Sequence, residues 1–148
     1  MRRALVSILV LGLVGGVVSA PALAGKKKTI KKEFSAGPHA PLPILADASP
    51  NGCLDGQEGL NKTTVAFKTP GKGLLDVTIH EFEGDWDMYV TTPDGSVLAA
   101  SDSSQLQGAA QEERIQINLP AKKSFNIVAC NWAGGPTAAG HYTYKYKK

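Results

Sequence analysis

Apolar residues recur at every second position in six short segments of the chain, and a seventh short segment is continuously apolar. Val65 and Phe67 alternate with Thr64, Ala66 and Lys68, and Leu75, Val77 and Ile79 with Asp76, Thr78 and His80. Trp86, Met88 and Val90 alternate with Asp85, Asp87 and Tyr89, and the turn Pro93-Asp94-Gly95-Ser96 leads into Val97 to Ala100. Ile115, Ile117 and Leu119, then Phe125, Ile127 and Ala129, and finally Tyr142, Tyr144 and Tyr146 repeat the pattern. A period of two puts one apolar face on each strand, and Pro/Gly/Asn clusters between segments supply the turns. No sustained helical period and no internal repeat appears. The pattern predicts an all-β fold: an antiparallel β-sandwich of about seven to eight short strands.

The first 24 residues read differently. Met1-Arg2-Arg3 is a short positive start, Ala4 to Ala20 is apolar apart from Ser7 and Ser19, and Pro21 precedes Ala22-Leu23-Ala24. That order is a secretory signal peptide with cleavage after Ala24, which makes the mature protein secreted or extracellular with no membrane span. Residues 25–43 are basic, then rich in Pro, Gly and Ala, and predict a flexible N-terminal arm. Residues 44–148 form the sandwich domain, opening with a turn-rich loop that holds Pro50, Gly52, Gly56 and Gly59.

A chain of 148 residues, 43% hydrophobic and 20% charged, has room for one globular domain and excludes a multidomain enzyme. Its two cysteines cannot build a four-cysteine metal site. In an exported chain, Cys53 and Cys130 predict one disulfide, closing a loop of about 77 residues worth roughly 4 kcal/mol in the chain-entropy model. Charge is uneven: Lys26, Lys27, Lys28, Lys31 and Lys32 crowd the mature start, and Lys145, Lys147 and Lys148 close the end. The body between them is acidic, which argues against nucleic acid and leaves an extracellular protein, a polysaccharide or a cell-envelope polyanion as partner.

Glu81, Glu83, Asp85 and Asp87 alternate, so in one continuous strand they would share a face about 6.5–7 Å apart, the spacing of glycosidase carboxylate pairs. His39, His80 and His141 show no metal-ligand spacing and read as structural or surface residues. Ser101 to Ser104 lack a nucleophile elbow and a partnered base. Trp86 falls on the apolar register. Trp132, in a glycine-rich turn, is a candidate ligand-stacking residue or a cap on the sandwich. Asn61-Lys62-Thr63 is a glycosylation sequon.

Residues 47–58 match the twelve-residue EF-hand loop pattern. Asp47, Ser49 and Asn51 stand at positions 1, 3 and 5, Gly52 at 6, the Cys53 carbonyl at 7, Asp55 at 9 and Glu58 at 12. Such an oxygen cage suits Ca²⁺, the one cofactor the loop could take; the alternative is a turn-rich loop that matches the pattern by chance and is held by Cys53.

Gly84-Asp85-Trp86-Asp87-Met88-Tyr89-Val90, then Pro93-Asp94-Gly95, Ser101, Glu113, Phe125 and the Tyr142–Tyr146 strand resemble the bacterial pre-peptidase C-terminal (PPC) domain. The resemblance covers about residues 63–148. It implies a jelly-roll-like sandwich, often acting in substrate or surface binding; related collagen-binding modules carry calcium ahead of their sandwich. The expected function is a secreted, non-enzymatic binding or adhesion module. A small hydrolase using the acids from Glu81 to Asp87, or a purely structural envelope protein, are the alternatives.

Overall fold

A computed structural model describes residues 25–42, 52–102 and 112–147, without the Cys53 side chain. The expected signal peptide therefore lies outside the described residues. The elements are β1 (Lys27–Ala36), a 3₁₀ turn (Gly52–Asp55), β2 (Lys62–Lys68), β3 (Gly73–His80), β4 (Gly84–Thr91), β5 (Val97–Ser101), β6 (Glu112–Leu119), β7 (Ser124–Gly134) and β8 (Ala138–Lys147). They form two four-stranded sheets, β1-β8-β3-β6 and β2-β7-β4-β5. Every strand pairing within them is antiparallel.

The period-two faces meet in one core. Leu75, Val77, Ile79, Ile115, Tyr142 and Tyr144 from the first sheet cluster with Trp86, Met88, Val90, Phe125, Ile127 and Ala129 from the second. Full burial of each large aliphatic or Phe side chain stabilises by about 1.5–3 kcal/mol. Trp86 is fully buried, and its indole N–H donates to the Gly135 carbonyl at 3.1 Å. Glycine is required where rings need the space: a Cβ on Gly73 would lie 2.9 Å from Tyr144 Cζ, and one on Gly140 would collide with the Phe34 ring.

Two expectations are corrected. Residues 27–36, expected in a flexible arm, form β1 and pair with β8 over the whole strand, from Lys27 opposite Lys147 to Ala36 opposite Ala138. Ile30, Phe34 and Ala36 face the core at period two, but Lys28 and Lys32 occupy the same face at the sheet edge and obscure the alternation. An edge strand tolerates such lysines, and they discourage pairing with another chain.

The four alternating acids do not share a face. Glu81 sits after β3 in the left-handed region (φ 58°), Gly84 has φ 74°, and a bulge falls between Asp85 and Trp86. The chain turns twice between Glu81 and Asp85, and the carboxylate row a hydrolase would need is broken up.

Candidate functional site

The outer face of β1-β8-β3-β6 carries the functional side chains, and register assigns each its row. Lys27 lies opposite Lys147, and Thr29, Lys145, Leu74 and Asn118 form the next row. With Lys28, Lys72, Gly73 and Tyr146 these residues line a cleft of about 600 Å³. That volume falls within the range of ligand pockets. Lys27, Lys145 and Lys147 stand on the outer face, Lys72 joins them from the turn before β3, and Lys28, on the inward register of the edge strand, lines the same end. The Lys27–Lys147 pair sets like charges directly opposite each other, an arrangement that destabilises a sheet. Tyr146, on the inward register of β8, stacks on the buried Tyr144 (centroids 5.7 Å, planes 17° apart), and Tyr144 donates to the Gly71 carbonyl at 2.6 Å, which ties this end of the core to the turn before β3.

Further along the face the charges change. Asp76 on β3 holds Arg114 on β6 through two hydrogen bonds of 2.9 and 2.7 Å and accepts a third from Gln116 at 2.9 Å. The guanidinium bonds hold the Asp76 carboxyl below its ordinary range. Beyond this pair stand Glu33, His141, His80 and Glu112, one from each strand. His80 and His141, scattered in sequence, have ring centroids 5.4 Å apart.

The second sheet has part of its outer face covered, on β4 and β7. Tyr89, Val128 and Cys130 form a small buried cluster, packed against Leu42, Leu54 and Trp132. The 3₁₀ turn lies against β7 here. Asp87 is beneath this cover, 7% exposed, and accepts a long 3.4 Å hydrogen bond from the Tyr89 hydroxyl. Burial pushes its carboxyl up to about 7, helped by the negative charges of Asp85, Asp102 and Glu113 and opposed by the Tyr89 bond. Burial likewise raises the Tyr89 phenol.

The folded chain holds the Asp87 proton up to about pH 7, whereas an unfolded chain releases it near 3.8. The stability this group contributes is therefore complete below about pH 4 and is lost as pH rises through about 7. Asp87→Asn is expected to flatten that decline and to stabilise the protein by roughly 1–3 kcal/mol at pH 8, after allowance for solvent screening. Melting curves of both proteins from pH 4 to 9 check this. Parallel profiles would show that Asp87 ionises like an exposed carboxylate.

The remaining sequence-derived sites are dispersed. Asp47, Ser49 and Asn51 of the calcium loop lie outside the described residues, as does the Cys53 side chain. Gly52 has the φ of 56° that a sharp turn needs. Glu58, the closing ligand, spends both oxygens on Thr64, accepting from its backbone N–H at 2.8 Å and its hydroxyl at 2.6 Å. In this arrangement Glu58 does not fit the role of a bidentate calcium ligand. Trp132, expected in a turn, ends β7 and is half-buried on the Tyr89–Cys130 cluster. The Asn61 side chain is buried, its amide donating to the Ala40 and Pro41 carbonyls at 3.0 and 3.4 Å. Ser101 donates to Glu113, joining β5 of one sheet to β6 of the other. The lysine cleft and the histidine pair have no linear motif. Their one signal in the sequence is the concentration of lysine at residues 26–32 and 145–148.

No protein-family model matches the chain, and comparison with curated proteins finds no match. Solved structures do resemble it. The periplasmic inhibitor of g-type lysozyme (PliG) of Aeromonas hydrophila is 11% identical with a TM-score of 0.43, covering 84% of this chain and 90% of its own. The K1 cleaved adhesin domain of Lys-gingipain from Porphyromonas gingivalis W83 is 11% identical with a TM-score of 0.41, covering 79% and 99%. VP2 of infectious bursal disease virus, as a subviral particle, is 13% identical with a TM-score of 0.41, covering 95% of this chain and 37% of its own. At such identities and scores the similarity transfers neither ligand nor activity.

Proposed function

We propose that this protein is an exported, non-enzymatic β-sandwich that holds a polyanion of the cell envelope in the lysine cleft. The observation that carries the reading is the convergence of Lys27, Lys28, Lys72, Lys145 and Lys147 on one cleft. Two of them face each other across a strand pair, a cost to the fold that a bound anion would relieve. Lysine ammoniums are point charges that suit sulfate, phosphate or carboxylate groups in many orientations, as a repeating polymer presents them. Their attraction is screened within about 8–10 Å at physiological salt, so binding should weaken steeply as salt rises.

The PPC-like, jelly-roll reading is supported by the strand order β1-β8-β3-β6 over β2-β7-β4-β5, which is that of a double Greek key. A Cys53–Cys130 disulfide belongs to the same reading. Cys130 is fully buried on β7, the 3₁₀ turn containing Cys53 packs against that strand, and Leu54 rests on the cluster that includes Cys130.

The test is titration of the mature protein with a sulfated heparin oligosaccharide, against neutral dextran. Replacing Lys72, Lys145 and Lys147 together by Ala is expected to weaken heparin binding at least tenfold. Replacing Lys68, Lys122 and Lys123, which do not line the cleft, should cost far less. Equal losses in the two triple variants, or equal binding of dextran, would overturn the cleft as the binding site.

A further inference from the structure

The far end of the same face holds groups of a different chemistry. Glu33, His141, His80 and Glu112 form a band across β1, β8, β3 and β6, with Glu33 directly opposite His141 and Glu112 directly opposite His80. Directly opposed residues bring their Cβ atoms to about 4.5–5.5 Å, within reach of a shared ion for long side chains. Two clefts, of about 480 and 260 Å³, flank the band and have both histidines in common.

The imidazoles are spaced for a shared metal. Two rings bound through Nε2 at about 2.0–2.1 Å with tetrahedral geometry place their centroids about 5 Å apart; here the separation is 5.4 Å with planes inclined at 57°. His80 is also oriented for the task. Its Nδ1 lies 3.4 Å from Glu81 Oε1, which leaves Nε2 as the ring nitrogen to take a metal. A carboxylate on the second ring nitrogen is the usual companion of a metal-bound histidine. Glu81 reaches that position from a left-handed backbone (φ 58°), a conformation uncommon for a residue with a side chain and concentrated at functional sites. The nearby cation, Arg114, is bound in a fork to Asp76 and so repels an incoming metal less.

We propose that His80 and His141 bind one divalent transition-metal ion of the zinc and copper class, water and one of the flanking glutamates, Glu33 or Glu112, completing the site. Two imidazoles favour such borderline ions over calcium or magnesium, which take oxygen ligands. Among the described residues no three His, Cys, Asp or Glu are already gathered for a metal. The histidine pair is therefore the preformed part, and one glutamate swings in on binding. All four side chains are on the solvent side of the sheet, so the ion keeps open positions toward the medium. The inference stands apart from the lysine cleft.

Tag-free mature protein titrated with Zn²⁺ in a calorimeter is expected to bind one equivalent. His80→Ala or His141→Ala should each weaken it at least tenfold, and Glu33→Gln with Glu112→Gln should weaken it less. Excess Ca²⁺ should not compete, and the lysine-cleft triple variant should bind Zn²⁺ as before. Electron paramagnetic resonance of the Cu²⁺ form should show coupling to two imidazole nitrogens, lost in the double histidine variant while its circular dichroism stays unchanged. Absence of Zn²⁺ binding by the unaltered protein, or binding that persists in the double variant, would overturn the site.

Discussion

If the proposed Cys53–Cys130 bridge forms, Cys130→Ser is expected to lower the stability of the protein by about 2–5 kcal/mol, the usual loss when a small domain is deprived of a disulfide. Much of that loss reflects the unfolded chain, which regains the freedom of a loop of about 77 residues. Part is local, because Cys130 is wholly buried beneath the cover that includes Leu42, Leu54 and Trp132. Denaturant unfolding under oxidising and reducing conditions measures it. The unaltered protein should fall to the stability of the variant on reduction, and mass spectrometry should find Cys53 joined to Cys130. Two alkylatable thiols in the native oxidised protein would refute the bridge.

Trp86→Ala should be as damaging, at about 3–5 kcal/mol, since the side chain is fully buried and its removal leaves a large cavity. Against a total stability of about 5–15 kcal/mol for an ordinary domain, that loss is a large share of the margin. Trp86→Phe separates the causes. It keeps most of the packing against Phe82 and His39 but removes the indole hydrogen bond to Gly135. The Gly135 carbonyl retains the Asn131 amide at 2.9 Å, so this variant should lose only about 1–2 kcal/mol. Thermal melts of the two variants give the comparison. An alanine variant as stable as the phenylalanine one would place Trp86 outside the core.

Side-chain alternation is a local property, readable two residues at a time, and it determined the strands on either side of the core. Leu75, Val77 and Ile79, or Tyr142 and Tyr144, point inward because a pleated strand sends every second side chain to the same face. The same rule misjudged β1, where Lys28 and Lys32 share the inward face with Ile30 and Phe34. Local pattern cannot tell a lysine at a sheet edge from a lysine in a tail, because the partner strand begins at Ala138, more than a hundred residues away. Asp87 shows the converse limit. Its alternation with Trp86 and Met88 placed it on the outer face, and tertiary burial opposite Cys130, together with neighbouring carboxylates, raises its pKa.

The chemistry-bearing groups followed the same division. Composition concentrated lysines at residues 26–32 and 145–148; antiparallel pairing of β1 with β8 brought Lys27 to Lys147 and made two basic segments into one basic cleft. His80 and His141 are 61 positions apart in sequence, and the register of β3 on β8 sets their rings side by side. Which face a residue takes is decided by its own strand, whereas which neighbour it meets depends on pairings closed across long loops. The sequence by itself therefore determined an all-β core with basic chain ends, and the tertiary structure alone decided where charges and imidazoles converge.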